Sequence, residues 1–194
     1  MSDVRDLVVI GCSAGGVAAL PALLEGIPAD FPAAIVIAQH MAPTDKPYLV
    51  DILRRKSALP VDWVEQGGAV RPGHVYVCPP GLHVMFTDGH LQLVRTDREN
   101  HVRPSIDKLF RSAAAHHGAR VTGVLLTGML DDGVAGLAAI REAGGLVIVQ
   151  APDDAEFPEL PTRALAALTP DAVLPVDEIA YHLTTVVDAT ERVD

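Results

Sequence analysis

The strongest constraint on the fold is a repeated alternation of short apolar runs with longer segments of helical pattern. The apolar runs have the length of a strand and contain few polar residues: Leu7–Ile10, Ala33–Ala38, Val121–Leu126 and Leu146–Val149. Strands that are apolar on both faces are typical of a parallel sheet that helices cover on both sides. The alternation therefore predicts an α/β fold with a doubly wound, mostly parallel sheet and helices on both faces.

The middle of the chain has a different pattern. Between Arg71 and Arg95, two segments of alternating residues lie on either side of Asp88-Gly89, which is a strong hairpin signal. We expect an antiparallel β-hairpin at the edge of the sheet. Ser105 is a suitable N-cap for a helix that follows the hairpin. Helices are expected over three segments in particular: Lys46–Lys56, Asn100–Gly118 and Val176–Thr190.

Length and composition restrict the class of protein. The 194 residues suit a single domain over 1–194, with 49% hydrophobic and only 4% aromatic residues. A formal net charge of −10 argues against a nucleic-acid binder. No apolar run reaches the roughly 20 residues that a membrane helix needs, and the N-terminal residues do not resemble a signal peptide. We expect a cytoplasmic protein that does not insert into membranes.

The first strand runs directly into Gly11-Cys12-Ser13-Ala14-Gly15, which matches the G-x-S-x-G nucleophile elbow. Such a turn holds backbone N–H groups and a helix N-terminus near the serine Oγ. The alternatives are a glycine-rich turn without chemistry, or one that binds a phosphate. The G-x-G-x-x-G and P-loop signatures of nucleotide sites are both absent. Because adjacent strand residues point to opposite sides, Cys12 is expected to pack inward rather than act beside Ser13.

A base and an acid follow two other strands. Ala33–Ala38 runs directly into Gln39-His40, and Asp131 and Asp132 follow Val121–Leu126. Each could have a purely structural explanation, but functional groups of an open parallel sheet gather at the carboxyl ends of its strands. A serine, a histidine and an aspartate there are what acyl transfer needs. The order Ser13, His40, Asp132 differs from the serine, acid, histidine order of α/β-hydrolases.

Five sequence blocks in order extend this pattern over nearly the whole chain: IGCSAGG, IAQHM, VYVCPPGLHV, RPSIDKLFRSAA and LLTGMLDDGVAGL. In these blocks the chain resembles the catalytic domain of the CheB-type protein-glutamate methylesterases. The resemblance implies Ser13 as nucleophile, His40 as base and Asp132 as acid. It also implies an oxyanion site at the backbone around Ala14 and Met129.

The resemblance implies hydrolysis of glutamate methyl esters, with glutamine deamidation as a second activity. Neither a metal nor a cofactor is needed. The expected partner is a methylated chemoreceptor or a related signalling protein, with a separate regulatory protein as a further partner. Because the first strand begins so close to Met1, we expect a stand-alone catalytic domain without the receiver domain of chemotaxis methylesterases.

The chain departs from the family pattern beside the proposed acid. Leu130 stands where the family usually has glycine, and Asp131 adds a negative charge. This loop leaves two alternatives open: a non-catalytic signalling scaffold, and an esterase for an unrelated acyl ester. Arg103 could contact an acidic substrate or form a structural salt bridge. The acidic balance predicts that salt assists approach to an acidic partner, unless a basic patch lines the docking face.

Overall fold

A computed structural model describes residues 5–42 and 48–188 of the chain. Strands β1 to β10 within these ranges are Leu7–Cys12, Ala34–Gln39, Val61–Trp63, Gly68–Ala69, Val75–Val77, His83–Thr87, His90–Val94, Val121–Leu125, Leu146–Gln150 and Ala172–Leu174. Helices α1 to α6 are Gly16–Glu25, Leu49–Lys56, Ile106–His117, Val134–Glu142, Glu159–Ala167 and Val176–Asp188.

Seven strands form one sheet in the order β10-β9-β8-β1-β2-β5-β3, and every pair in it is parallel. The chain starts in the middle of the sheet at β1, builds one half through β2, β3 and β5, and then crosses to build the other half from β8. The strand order therefore reverses at β1. In such sheets, the crevice at the carboxyl ends beside the reversal is where ligands bind.

The two faces of the sheet bury separate cores, as the apolar strands require. Alternate residues of β1 divide between them: Val8 and Ile10 lie in a core with α1, α2 and α6, whereas Leu7 and Val9 lie in a core with α3, α4 and α5. These strand residues are at most 2% exposed. The predicted doubly wound α/β architecture is confirmed.

The predicted hairpin is present, but it lies in a sheet of its own. Strands β6 and β7 pair around Asp88-Gly89, and β7 also pairs with β4, so the order is β4-β7-β6. Phe86 of β6 and Leu91 of β7 pack into the same core as α3. The hairpin therefore covers part of one face of the large sheet and does not extend its edge.

Most helix predictions agree with the structure, with differences at their ends. The helix predicted over Asn100–Gly118 begins only at Ile106, because Ser105 caps it by accepting a hydrogen bond from the backbone of Lys108 at 3.3 Å. Helix α2 begins at Leu49, and the predicted residues 46 and 47 lie outside the described ranges. Residues 189 and 190 of the predicted last helix also lie outside them.

Candidate active site

A sharp turn joins β1 to α1 and contains Ser13. The backbone N–H of Ser13 donates to the carbonyl of Thr127 at 3.0 Å, which ties the turn to the segment after β8. Gly15 has a φ of 81°, and a Cβ there would lie 2.8 Å from Oγ1 of Thr127. Only glycine accommodates both this left-handed backbone and this close approach. Glycine at position 15 of this turn is therefore a steric requirement of the fold.

The side chains of Ser13, His40 and Asp132 form a continuous chain of hydrogen bonds. Nδ1 of His40 lies 2.9 Å from Oγ of Ser13, and Nε2 of the same ring lies 2.7 Å from Oδ2 of Asp132. An ionised carboxylate can only accept, so the hydrogen of the neutral ring belongs on Nε2. Nδ1 is then free to accept from the serine hydroxyl. The three residues predicted from the sequence thus meet at the carboxyl ends of the adjacent strands β8, β1 and β2.

Asp132 is buried, with only 2% of its side chain exposed. Donors at 2.7 to 3.2 Å surround its carboxylate: Nε2 of His40, the hydroxyl of Ser105, the side-chain amide of Asn100, and the backbone N–H groups of Ile106 and Asp107. Both carboxylate oxygens are therefore fixed, and the position of the His40 ring is fixed with them.

The charge of Asp132 is favoured by the same contacts. Burial acts to raise the pKa of Asp132, but the hydrogen bonds from His40, from the N–H of Ile106 and from Asn100 outweigh it, and the pKa is lowered. Ile106 is the first residue of α3, so the carboxylate also lies at the positive end of a helix dipole. An ionised Asp132 can accept a hydrogen bond from the Nε2–H group of His40 and stabilise the protonated ring.

Asp131 has a different environment from its neighbour. Its side chain is exposed and lines a separate surface cavity with Asn100 and Val134. The preceding Leu130 has a φ of 65° and is 53% exposed. The loop that departs from the family pattern therefore turns Leu130 and Asp131 outward, while Asp132 points inward to His40.

Gln39 fastens the loops of Ser13 and His40 to each other. Its Nε2 donates to the backbone carbonyl of Ser13 at 2.9 Å and to that of His40 at 2.8 Å. Its Oε1 accepts from the Cys12 thiol at 2.8 Å. Cys12 is fully buried, as predicted, and burial raises the pKa of its thiol, which keeps it protonated and unreactive.

The backbone near Ser13 offers free donors. Among the described residues, the N–H groups of Ala14 and Met129 have no hydrogen-bond acceptor. Met129 follows Gly128, whose backbone is so close to the serine that a Cβ there would lie 2.8 Å from Cβ of Ser13. The two N–H groups are therefore available to a ligand beside Ser13, where the resemblance places the oxyanion site.

Sequence analysis missed several residues that support the site. Asn100, Asp107 and Gln39 were not singled out, and Ser105 was recognised only as a helix cap. Adjacency to His40 was a signal for Gln39. For Asp107 there was a weaker signal, its place as a polar residue in the first turn of a capped helix. No local pattern marks Asn100, because it reaches Asp132 from 32 positions away.

Neither a metal-binding group of side chains nor a membrane-spanning helix is found in the described ranges. No group of three or more histidine, cysteine, aspartate or glutamate side chains in residues 5–42 and 48–188 could hold a metal ion. No described helix is long and apolar enough to span a bilayer.

Comparisons with known proteins show which family the chain resembles. A family model described as CheB methylesterase matches residues 8–183. A protein-glutamate methylesterase/protein-glutamine glutaminase of Geobacter metallireducens is 41% identical over 180 residues, covering 92% of this chain and 52% of that protein. A relative from Leptospira interrogans, whose name assigns the same two activities provisionally, is 36% identical, covering 90% of this chain and 91% of that protein.

A solved structure has the same fold. The crystal structure of the Thermotoga maritima CheB methylesterase catalytic domain superposes with a TM-score of 0.89 at 33% sequence identity. The match covers 94% of this chain and 98% of that one. The chain spans about half the length of several curated relatives that it matches.

Proposed function

The chain belongs to the CheB methylesterase family, and on that basis we propose that it hydrolyses methyl esters of glutamate side chains on chemoreceptor-like proteins. The observation that supports this most directly is the continuous hydrogen-bond chain from Ser13 through His40 to Asp132. We propose residues 1–194 as one catalytic domain that acts in the cytoplasm. A non-catalytic scaffold would not require these three side chains to be aligned.

In the proposed reaction, Oγ of Ser13 attacks the ester carbonyl while Nδ1 of His40 takes the hydroxyl proton. The negative oxygen of the tetrahedral intermediate accepts hydrogen bonds from the N–H groups of Ala14 and Met129. Asp132 stabilises the protonated ring. His40 then returns the proton to the departing methoxide, which leaves as methanol, and the acyl group remains on Ser13.

Water completes the cycle by the same groups. His40 removes a proton from a water molecule, the resulting hydroxide attacks the acyl carbonyl, and the glutamate carboxylate leaves as Ser13 regains its hydrogen. A glutamine side chain would follow the same route with ammonia as the leaving group. We include this deamidation because relatives carry both activities in their names.

The test is release of methanol from a methylated chemoreceptor of the same organism. Ser13→Ala should lower kcat by about 10⁴ to 10⁶, since a triad acts as a unit. His40→Ala should cause a comparable loss, and both variants should keep the fold of the parent protein by circular dichroism. Retention of a tenth of the activity in a pure Ser13→Ala preparation would exclude Ser13 as the nucleophile. Hydrolysis of small esters without methanol release from receptors would favour an unrelated ester as substrate.

A further inference from the structure

A cleft of about 300 Å³ opens beside the ring of His40. Its walls are formed by seven residues from two segments of the chain: His40, Met41, Ala42, Arg98, His101, Val102 and Arg103. His40 belongs to both the cleft and the hydrogen-bond chain, with 14% of its side chain exposed. A molecule that fills the cleft would therefore contact the ring that faces Ser13.

The two arginines of the cleft donate hydrogen bonds to backbone carbonyls. Arg98 donates to the backbone carbonyl of His101 at 3.5 Å, and Arg103 donates to the carbonyl of Thr96 at 2.8 Å. Among the described residues, neither guanidinium lies within 4.0 Å of a carboxylate. Other arginines do have carboxylate partners: Arg54, Arg111, Arg120 and Arg163. The structural salt bridge considered for Arg103 is thus absent from the described part of the chain.

Two of the acidic groups near the cleft, Glu99 and Asp132, already have partners. Glu99 follows Arg98 directly, but it pairs with Lys108 and Arg111. Burial acts to raise the pKa of Glu99, whereas its hydrogen bonds to those two cations outweigh it and lower the pKa. Asp132 is buried behind His40 and surrounded by donors. The described residues that line the cleft thus include two arginines and no carboxylate, on a chain whose formal net charge is −10.

We propose that this cleft binds an acidic segment of the protein that carries the ester. The proposal rests on the proposed function. Because the methyl ester itself is uncharged, Arg98 and Arg103 must recognise carboxylates that flank it, and charge complementarity favours a segment with several glutamates or aspartates. Such contacts would hold the flanking residues beside His40 while the ester reaches Ser13. Added salt should then weaken binding of the acidic segment, whereas the net charge alone predicts that salt assists its approach.

The experiment measures binding without turnover. A fluorescent peptide with one glutamyl methyl ester between flanking glutamates is titrated with the Ser13→Ala protein, and anisotropy gives Kd. Arg98→Glu in the same background should raise Kd about tenfold at low salt, because two unit charges change at an exposed contact. Arg55→Glu makes the same charge change on α2, outside the cleft, and should leave Kd within about twofold.

Two further measurements decide the outcome. The same peptide with flanking glutamines should bind about tenfold more weakly than the acidic peptide, and about 0.3 M salt should remove most of this difference. Equal effects of Arg98→Glu and Arg55→Glu, or equal binding of the two peptides, would overturn the proposal. The binding assay uses the Ser13→Ala protein and does not depend on turnover. Failure of the proposed esterase function would appear only in the methanol-release assay of the unmodified protein, and failure of the cleft proposal would appear only in the Kd values.

Discussion

Asp107 and Asp132 cap each other's helices. Asp132, which lies two residues before α4, accepts the N–H of Ile106 at the start of α3 at 2.7 Å. Asp107, in the first turn of α3, accepts the N–H groups of Gly133 and Gly136 at the start of α4 at 3.0 and 2.7 Å. The acid of the proposed triad is thus fixed by the packing of two helices.

The two carboxylates are also linked by one amide. Nδ2 of Asn100 donates to Asp107 at 2.8 Å and to Asp132 at 3.0 Å. Burial raises the pKa of Asp107, and the nearby charge of Asp132 adds to this, while the N–H of Gly136 and the Asn100 amide act in the opposite direction. A donor shared between two buried carboxylates reduces the repulsion that would otherwise separate α3 from α4.

Asp132→Asn should cost far more activity than Asp131→Asn. An asparagine amide can donate to Nε2 of His40 and so place the ring hydrogen on Nδ1, where it blocks proton transfer from Ser13. We expect a loss of about 10³ to 10⁴ in kcat for Asp132→Asn, and a loss of less than about threefold for the exposed Asp131→Asn. Steady-state kinetics of the two purified variants test this. A larger loss in the Asp131 variant would mean that the wrong aspartate has been assigned.

Gln39→Met should weaken both the fold and the site. The variant keeps the side-chain volume but removes the donor shared by the carbonyls of Ser13 and His40. Leaving these two partly buried carbonyls without their donor should lower the free energy of unfolding by about 1 to 3 kcal/mol, and loosened loops should reduce kcat about tenfold. Urea denaturation and the esterase assay measure the two effects.

A matched control for Gln39→Met is Gln66→Met. Gln66 is exposed, so water can replace its partners Gln92 and Leu93, and the variant should lose less than about 1 kcal/mol. Equal stability of the two variants would show that the Gln39 bridge contributes nothing beyond an ordinary surface contact.

The positions of the triad were predictable from the sequence, whereas their support was not. Strand-length apolar runs followed closely by Ser13 and His40, and a third run followed by the loop that carries Asp132, place these residues together once a parallel sheet is inferred. Asn100 and Gln39 depend instead on side-chain contacts between segments that are distant in the sequence. Such contacts have no periodicity, and each becomes apparent only when the packing of the loops is known.

The small sheet was only partly predictable for a similar reason. Asp88-Gly89 and the alternation around it specify the β6-β7 hairpin locally. The remaining strand of the small sheet, β4 (Gly68–Ala69), has two residues and no alternation that could identify it. The placement of the hairpin against α3 depends on Phe86 and Leu91, whose alternation specifies a buried side but does not specify what that side packs against.

We expect the free energy of unfolding to fall as the pH is lowered from 7 to 5, because of the environment of His83. Its buried Nδ1 accepts the N–H of Ser105 at 3.0 Å, so the ring must be neutral, with Nε2 donating to the carbonyl of Asp97 at 3.1 Å. Burial lowers the pKa of His83, and the charges of Lys108 and Arg103 act in the same direction, against the Asp97 carbonyl and the charge of Glu99.

The sign of this effect follows from proton binding. Because the pKa of His83 is lower in the folded state, the unfolded chain binds more protons below the ordinary histidine value of about 6.5. The contribution is therefore complete above that value and is lost, at up to about 1.4 kcal/mol per pH unit, as the pH falls towards the folded pKa. Urea denaturation at several pH values across this range gives the slope of the free energy of unfolding against pH. Compared with the parent protein, this slope should be smaller for His83→Asn and unchanged for the exposed His90→Asn.

Leu130→Gly should be at least as stable as the parent protein, contrary to the usual effect of glycine. Leu130 has a φ of 65°, a left-handed conformation that costs an L-residue about 1 to 2 kcal/mol and glycine almost nothing. Since the side chain is 53% exposed, few contacts are lost with it. Leu130→Ala separates the two contributions, because alanine loses the same contacts and keeps the strain. We expect the glycine variant to exceed the alanine variant by about 1 kcal/mol in urea denaturation. The reverse order would show that the loop before Asp132 does not adopt this backbone in solution.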